Sequence, residues 1–181
     1  HELGGLSCVV GLAVLDVLVD LGVEDARLKW PNDVWIQGSK LAGILVELAN
    51  RGSSAIAVIG LGMNIALTPE ERAAVDQPIA DLLSRGVAVD RNSLLMAFVE
   101  KMASYLRHFE HSGFEAFRSA FNAVHLLHRR EVVVHSATEG KSPLTHGRVE
   151  GVGGSGQLLI RTSRGLEEML GGEVSLRPAD H

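Results

Sequence analysis

The sequence predicts an α+β chain: a mixed or antiparallel sheet with packed helices, followed by a small all-β module. Three observations carry this. An apolar run from Leu6 to Leu21 has helical character and precedes three short strand-like segments between Arg27 and Gly60. A long amphipathic pattern spans Asn92 to His111. Near His128 the pattern changes to five short strand candidates separated by Gly, Ser and Pro clusters. That change divides the chain into residues 1–128 and 129–181.

The 181 residues suffice for one good core, or one core with a small satellite domain. Apolar residues make up 46% and charged residues 22%, as in soluble globular proteins. A net charge of −5 argues against a dedicated nucleic-acid binder. The single cysteine, Cys8, cannot form an internal disulfide, and it reads as a buried structural thiol compatible with a cytoplasmic location. No secretory signal is visible after His1, and a start inside a longer polypeptide fits this beginning. The Leu6–Leu21 run carries Asp16 and Asp20 on one helix face and is short for a membrane span, so no membrane association is expected.

Leu6 to Leu21 is expected to be a mostly buried helix, with Asp16 and Asp20 on its wet side and Gly22 as a left-handed stop. Arg27 to Trp30 is a short strand. Pro31 holds Trp30 extended and forces a turn that exposes Asn32 and Asp33. Val34 to Gln37 and Lys40 to Leu48 form a hairpin about a type II′ turn at Gly38-Ser39. In that register Gln37 pairs with Lys40, Trp35 with Ala42 and Asp33 with Ile44. Asp33 and Lys40 would then share a face about 13 Å apart at roughly 3.3 Å per residue, too far for an ion pair. Asn50 to Ser54 is a loop, and Ala55 to Gly60 a third strand. Thr68, Pro69 and Glu71 form a helix start with a capping box. Ile79 to Leu83 is a short amphipathic segment closed by Gly86. The stripe Leu94, Phe98, Met102, Tyr105, Phe109 marks the longest helix, which Gly113 breaks. Phe114, Phe117, Phe121 and Val124 mark another. Five strands follow: Glu131–His135, Leu144–Glu150, Gln157–Thr162, Leu166–Met169 and Glu173–Leu176. They suggest a small barrel. Gly151 to Gly156 lacks the Walker spacing and reads as a hairpin turn.

The chemistry concentrates in three pieces: Lys29-Trp30-Pro31-Asn32-Asp33, Lys40-Leu41-Ala42-Gly43-Ile44-Leu45-Val46-Glu47 and Gly60-Leu61-Gly62-Met63-Asn64. Lys29 and Lys40 offer cationic donors, and Asn32 and Asn64 offer amides that can read a heterocycle. Asp33 offers a carboxylate to a metal ion or an incoming amine. Gly43, Gly60 and Gly62 leave the backbone open to close approach. A site binding a nucleotide triphosphate beside a small acid needs these groups. A solvated Lys29–Asp33 pair at a turn is the structural alternative. The eight histidines show no metal signature; His125 and His128 share a helix face at a spacing of three without a further ligand.

In order and spacing these three pieces closely resemble the biotin–protein ligases, also called biotin–[acetyl-CoA-carboxylase] ligases. The tail Gly171-Gly172-Glu173-Val174-Ser175-Leu176-Arg177 resembles the end of that family's C-terminal domain and adds Arg177 to the binding set. The resemblance implies a biotin/lipoate ligase-like catalytic domain followed by an SH3-like β-barrel. It implies an enzyme that joins biotin to ATP as biotinyl-5′-AMP, with Mg²⁺, and passes biotin to a lysine of a biotin carboxyl carrier protein, an acetyl-CoA carboxylase subunit. It gives Lys40 the biotin carboxylate and α-phosphate, Lys29 phosphate, Asp33 the acceptor lysine or Mg²⁺, and Asn64 adenine. Backbone at Gly43 and Leu45 meets the ureido ring, and Gly60 lines the pocket.

The sequence departs from that family in two places. The Ser/Thr-rich biotin contact and the Gly-Arg-rich loop that precede this region in the family are absent here, as is a DNA-binding helix-turn-helix. A fragment, or a degenerate member with little activity, is therefore expected. Met169, within Glu168-Met169-Leu170, stands where some members carry an aromatic that can stack on adenine. The alternatives are a lipoate or octanoate ligase, and a non-catalytic module that binds a carrier or forms a homodimer through strands around Val46 to Val58.

Overall fold

The computed structural model describes residues 5–51, 54–136, 145–170 and 174–178. Helix α1 (Leu6–Asp20) starts after Gly5 and stops ahead of Gly22, both at positive φ. It is buried along almost its whole length because it has cover on two sides, the sheet and a second helix, α3 (Arg91–Ser112). A Cβ at Gly11 would lie 2.9 Å from Leu28 Cδ2, so this glycine lets α1 press onto the sheet. The expected wet side is where α3 grips: Tyr105 donates to Asp16 at 2.8 Å, and Lys101 Nζ lies 3.0 Å from Asp20. Cys8 is buried as expected, and burial pushes its thiol pKa up to about 12, which keeps it protonated and inert.

The first sheet is an antiparallel meander of β1 (Ala26–Lys29), β2 (Asp33–Ile36), β3 (Ser39–Arg51) and β4 (Ser54–Met63). Its hairpin differs from the expected one. The two-residue loop is Gln37-Gly38, both at positive φ, which is the geometry of a type I′ turn, so the turn lies one residue earlier than predicted. Ile36 pairs with Ser39 and Trp35 with Lys40. A bulge at Leu41 then shifts the register, so Val34 meets Ala42 and Asp33 meets Gly43. The expected Asn50–Ser54 loop is shorter: Arg51 already pairs with Ser54, and residues 52 and 53 lie outside the described set.

Helix α2 (Pro69–Ala73) carries the predicted capping box, with Thr68 and Glu71 bonded reciprocally. The expected amphipathic segment, Ile79 to Leu83, begins extended, because residues 78–80 bridge to Lys40 through both of its backbone groups. A 3₁₀ turn (Leu83–Arg85) follows, capped by Gly86 at φ 78°. The Asn92–His111 expectation corresponds to α3, with Leu94, Phe98 and Phe109 buried. A second 3₁₀ turn (Phe114–Phe117) leads into α4 (Arg118–Val124), and Phe109, Phe114, Phe117 and Phe121 join the core.

All five predicted C-terminal strands are present: β5 (Glu131–Ser136), β6 (Thr145–Val152), β7 (Leu158–Thr162), β8 (Gly165–Met169) and β9 (Val174–Pro178). Their order is β8-β7-β6-β5-β9, an open five-stranded antiparallel sheet. The expected closed barrel is therefore not what the ladder forms: β8 and β9 are its edges, with no pairing between them among the described residues. The glycine-rich turn sits between β6 and β7 as expected, closed by Gly153 N–H to the Gln157 carbonyl at 2.8 Å.

The two sheets share one continuous core. Trp30 Nε1 donates to the Gly156 carbonyl at 2.9 Å, and Leu126 N–H to the Leu28 carbonyl at 2.7 Å. His125 lies in this junction, just past the end of α4 rather than on a helix face shared with His128. It is 5% exposed, and neither ring nitrogen has a hydrogen-bond partner. Burial, then the neighbouring His128, lowers its pKa from 6.5 to about 4. The unfolded chain binds this proton more tightly than the folded one. The stability due to neutral His125 is thus complete above pH 6.5 and is lost as pH falls toward 4. Urea midpoints should decline over that window in the native chain. His125→Phe, which keeps a ring against Phe121, should flatten the decline by one proton's slope.

No described helix is long and apolar enough to cross a membrane, and no described group of three His, Cys, Asp or Glu could hold a metal ion.

Candidate active site

The site is built on the outer face of the first sheet, around the Leu41 bulge. Cross-strand neighbours share a face, so the pairs Lys29–Asp33, Trp35–Lys40 and Asp33–Gly43 place all five residues on one side. The opposite side carries Leu28, Val34, Ile36 and Ile44, which are buried. Core packing on one face thus fixes which way the polar residues point.

Asp33 and Lys40 form a direct ion pair, Nζ to Oδ1 2.6 Å, where the sequence reading kept them apart. The one-residue change in the turn and the bulge bring Lys40 to within a diagonal of Asp33, a gap that a lysine side chain spans. Both groups are about a quarter exposed and so remain accessible to a ligand. The pair lies across Gly43: a Cβ there would sit 3.4 Å from Lys40 Cε and Nζ and 3.6 Å from Asp33 Oδ1. Gly43 faces Gly62 across the ladder, and Leu45 faces Gly60. Three of these four residues have no side chain, so the floor beside the ion pair is bare backbone.

A cavity of about 420 Å³ opens on this floor, bounded by Lys40, Gly43, Gly62 and Asn64 on the sheet side. Glu71, Val75, Gln77 and Ile79 form the facing wall, on and after α2. A larger groove of about 750 Å³ lies elsewhere, between β4 and α3, lined mostly by apolar residues such as Leu61, Phe98 and Met102. It lacks the paired charges of the first cavity.

The two asparagines are structural on their nitrogen side. Asn32 Nδ2 donates to the Ile44 carbonyl at 2.7 Å and Ile44 N–H returns to the Asn32 carbonyl at 2.8 Å, which staples the turn to β3. Asn64 Nδ2 donates to the Ala80 carbonyl at 3.0 Å. Each amide nitrogen thus spends a hydrogen on the fold, and the side-chain oxygen keeps its acceptor capacity. Asn64 still lines the cavity. Lys29 lies over the ring of Trp35, Nζ 4.7 Å from its centroid, so its charge is held on the same face as Lys40. Leu45 is exposed further along β3. Arg177 is on β9, opposite Val133 in the second sheet, and Met169 is on β8. Met169 does not line the cavity.

Sequence reasoning missed Trp35 and the wall after Thr68. The alternation Lys29, Trp35, Lys40 on adjacent strands was the available signal for the first. For the second it was Asp81, a lone carboxylate inside the apolar run Ile79 to Leu83.

Comparison with known proteins places the chain among biotin and lipoate ligases. The model of the biotin/lipoate A/B protein ligase family matches residues 2–64, which contain all three motif pieces. The chain is 34% identical to the bifunctional ligase/repressor BirA of Escherichia coli, over 97% of this chain and 54% of that protein, so it spans about half of that relative's length. It is 32% identical to the biotin–[acetyl-CoA-carboxylase] ligase of Paracoccus denitrificans, over 93% of this chain and 71% of that protein. Among solved structures, the biotin protein ligase of Aquifex aeolicus in complex with biotin and ATP superposes with a TM-score of 0.81 at 27% identity. That match covers 99% of this chain and 73% of the other. With the ion pair, the glycine floor and the motif order all falling within these matches, the chain belongs to the biotin–protein ligase family.

Proposed function

We propose that this chain carries the biotin- and ATP-binding centre of a ligase that makes biotinyl-5′-AMP and transfers biotin to a carrier-protein lysine. The observation that carries this reading is the Lys40–Asp33 pair laid over a side-chain-free floor at the mouth of a cavity. In the first step a biotin carboxylate oxygen bonds to the α-phosphorus of ATP and pyrophosphate leaves. Negative charge builds on the α-phosphate oxygens, and Lys40 is placed to offset it. Lys29 supplies a second cation on the same face for phosphate. Gly43, Gly60 and Gly62 let the ligand lie against the strands, with Leu45 backbone beside the ureido ring. Asn64 contributes from the cavity edge through its carbonyl oxygen. In the second step the acceptor amine attacks the biotinyl carbonyl, AMP leaves, and Asp33 orients the incoming amine.

Mg²⁺ fits as an ion carried by the triphosphate. The described residues hold no three-ligand group, and Asp33 offers a single carboxylate, which suits a metal that keeps most of its water and phosphate oxygens. Arg177 would reach the nucleotide from the second module. Residues 1–128 and 129–181 are read as two packed modules, the second an SH3-like fold. The partner is a biotin carboxyl carrier protein, and two copies would pair along β4, where Ile56 and Val58 are exposed.

Thermal-shift titration separates this from a lipoate-specific relative. In the presence of ATP, biotin should raise the midpoint and lipoate should not, because only ligands that bind the folded state stabilise it. A rise with lipoate alone would assign the centre to lipoate chemistry. A rise with neither would leave a carrier-binding module without a catalytic site.

A further inference from the structure

The wall of the cavity is held unusually. Helix α2 has no buried residue, and Ala74, Val75, Asp76, Gln77 and Pro78 after it are all exposed. Apolar burial therefore cannot fix this segment in place. Yet Glu71, Ala74, Val75 and Gln77 form the side of the cavity that faces Lys40 and Gly62.

One side chain from α2 reaches inward. Arg72 Nη2 donates to Asp81 Oδ2, and Arg72 Nη1 donates to the Ile79 carbonyl. Asp81 is 1% exposed, one of the few charged or polar residues in the core, while Arg72 stays about a third exposed. The other Asp81 oxygen accepts from Ser84 N–H at 2.8 Å, and the Asp81 carbonyl accepts from Ser84 Oγ at 3.1 Å. The backbone on either side of Asp81 is pinned. Ala80 N–H is bonded to the Lys40 carbonyl, and Leu82 N–H to the Asn64 carbonyl. A buried carboxylate, whose neighbours in the chain are bonded to Lys40 and Asn64, thus holds the guanidinium of an otherwise exposed helix.

We infer that Arg72 and Asp81 are positioning residues: their ion pair is a latch that holds α2 as the closed wall of the cavity and sets how long a bound adenylate stays. This inference rests on the reading of the cavity as the nucleotide site. A buried ion pair suits the role because it is directional. Removing the arginine leaves the Asp81 carboxylate with one donor, Ser84 N–H, and costs α2 its bonds to the core. The partner carbonyl of Ile79, itself in the cavity lining, ties the latch to the same wall.

Hydrogen exchange on the full chain tests the latch without needing turnover. In Arg72→Gln, amides of residues 69–77 should exchange at least about 10-fold faster, while those of α1 and β3 stay unchanged. Arg72→Lys, which keeps the charge but loses the fork, should fall between. Dissociation of biotinyl-5′-AMP should quicken by about the same factor in Arg72→Gln, with association changed less. Unchanged exchange at 69–77, or a rise spread evenly over the protein, would overturn the latch. Faster exchange with an unchanged dissociation rate would overturn its link to the ligand. The site reading fails separately: biotinyl-5′-AMP would then protect nothing around Lys40 and Gly62 in the native chain.

Discussion

Replacing Lys40 with alanine is expected to lower biotin-dependent formation of the adenylate by about 10²–10³-fold, the usual cost of removing one preorganised donor from a developing oxyanion. The fold should survive. Lys40 is part-exposed, its side chain meets only Asp33 among the described ion pairs, and its strand is held by backbone bonds to residues 78 and 80. Removing the ammonium also leaves Asp33 unpaired beside the phosphates, so Lys40→Ala adds a repulsion to the lost attraction. Lys40→Arg keeps the charge but not the shape, since a planar fork does not replace a point charge lying across Gly43. A quenched-flow measurement of adenylate yield, with circular dichroism as the control for folding, checks both variants.

Gly43→Val is expected to lower adenylate formation almost as strongly, without replacing a charged residue. The Cβ alone would meet Lys40 Nζ and Cε at 3.4 Å and Asp33 Oδ1 at 3.6 Å, an ordinary contact distance. The two methyl groups beyond it would stand on the floor where the ligand lies and would part the ion pair. Valine favours a strand, so the sheet should tolerate the change and the melting temperature should move little. Gly43→Ala should be milder than Gly43→Val in biotin affinity. Equal affinity for biotin in Gly43→Val and the native chain, read by calorimetry, would remove Gly43 from the floor.

Much of this site was legible because spacing and residue type carry their own geometry. Pro31 after a short strand required a turn, and the turn exposes Asn32 and Asp33 as expected. Thr68, Pro69 and Glu71 specified a helix start, and the capping box is there. The stripe on α3 is the core face. What stayed hidden depended on a single residue of register or on contacts far apart in sequence. Gln37 carries φ 45°, a conformation that its residue type does not announce, so the type I′ turn was displaced by one. That shift, with the bulge at Leu41, turned an expected separation of Asp33 and Lys40 into an ion pair. The backbone bonds of the Asn32 and Asn64 amides stayed hidden because their partners, Ile44 and Ala80, come from other elements. The Arg72–Asp81 contact joins a surface helix to a buried segment, and neither residue shows a local pattern that names the other.

The proposed role of Lys40, Asp33 and the glycine floor is to activate a carboxylic acid with ATP. The most direct test is exchange of labelled pyrophosphate into ATP, with and without biotin. Exchange should require biotin, should not be supported by lipoate, and should fall by about 10²–10³-fold in Lys40→Ala. Exchange that proceeds equally without biotin, or that is untouched by Lys40→Ala, would contradict it.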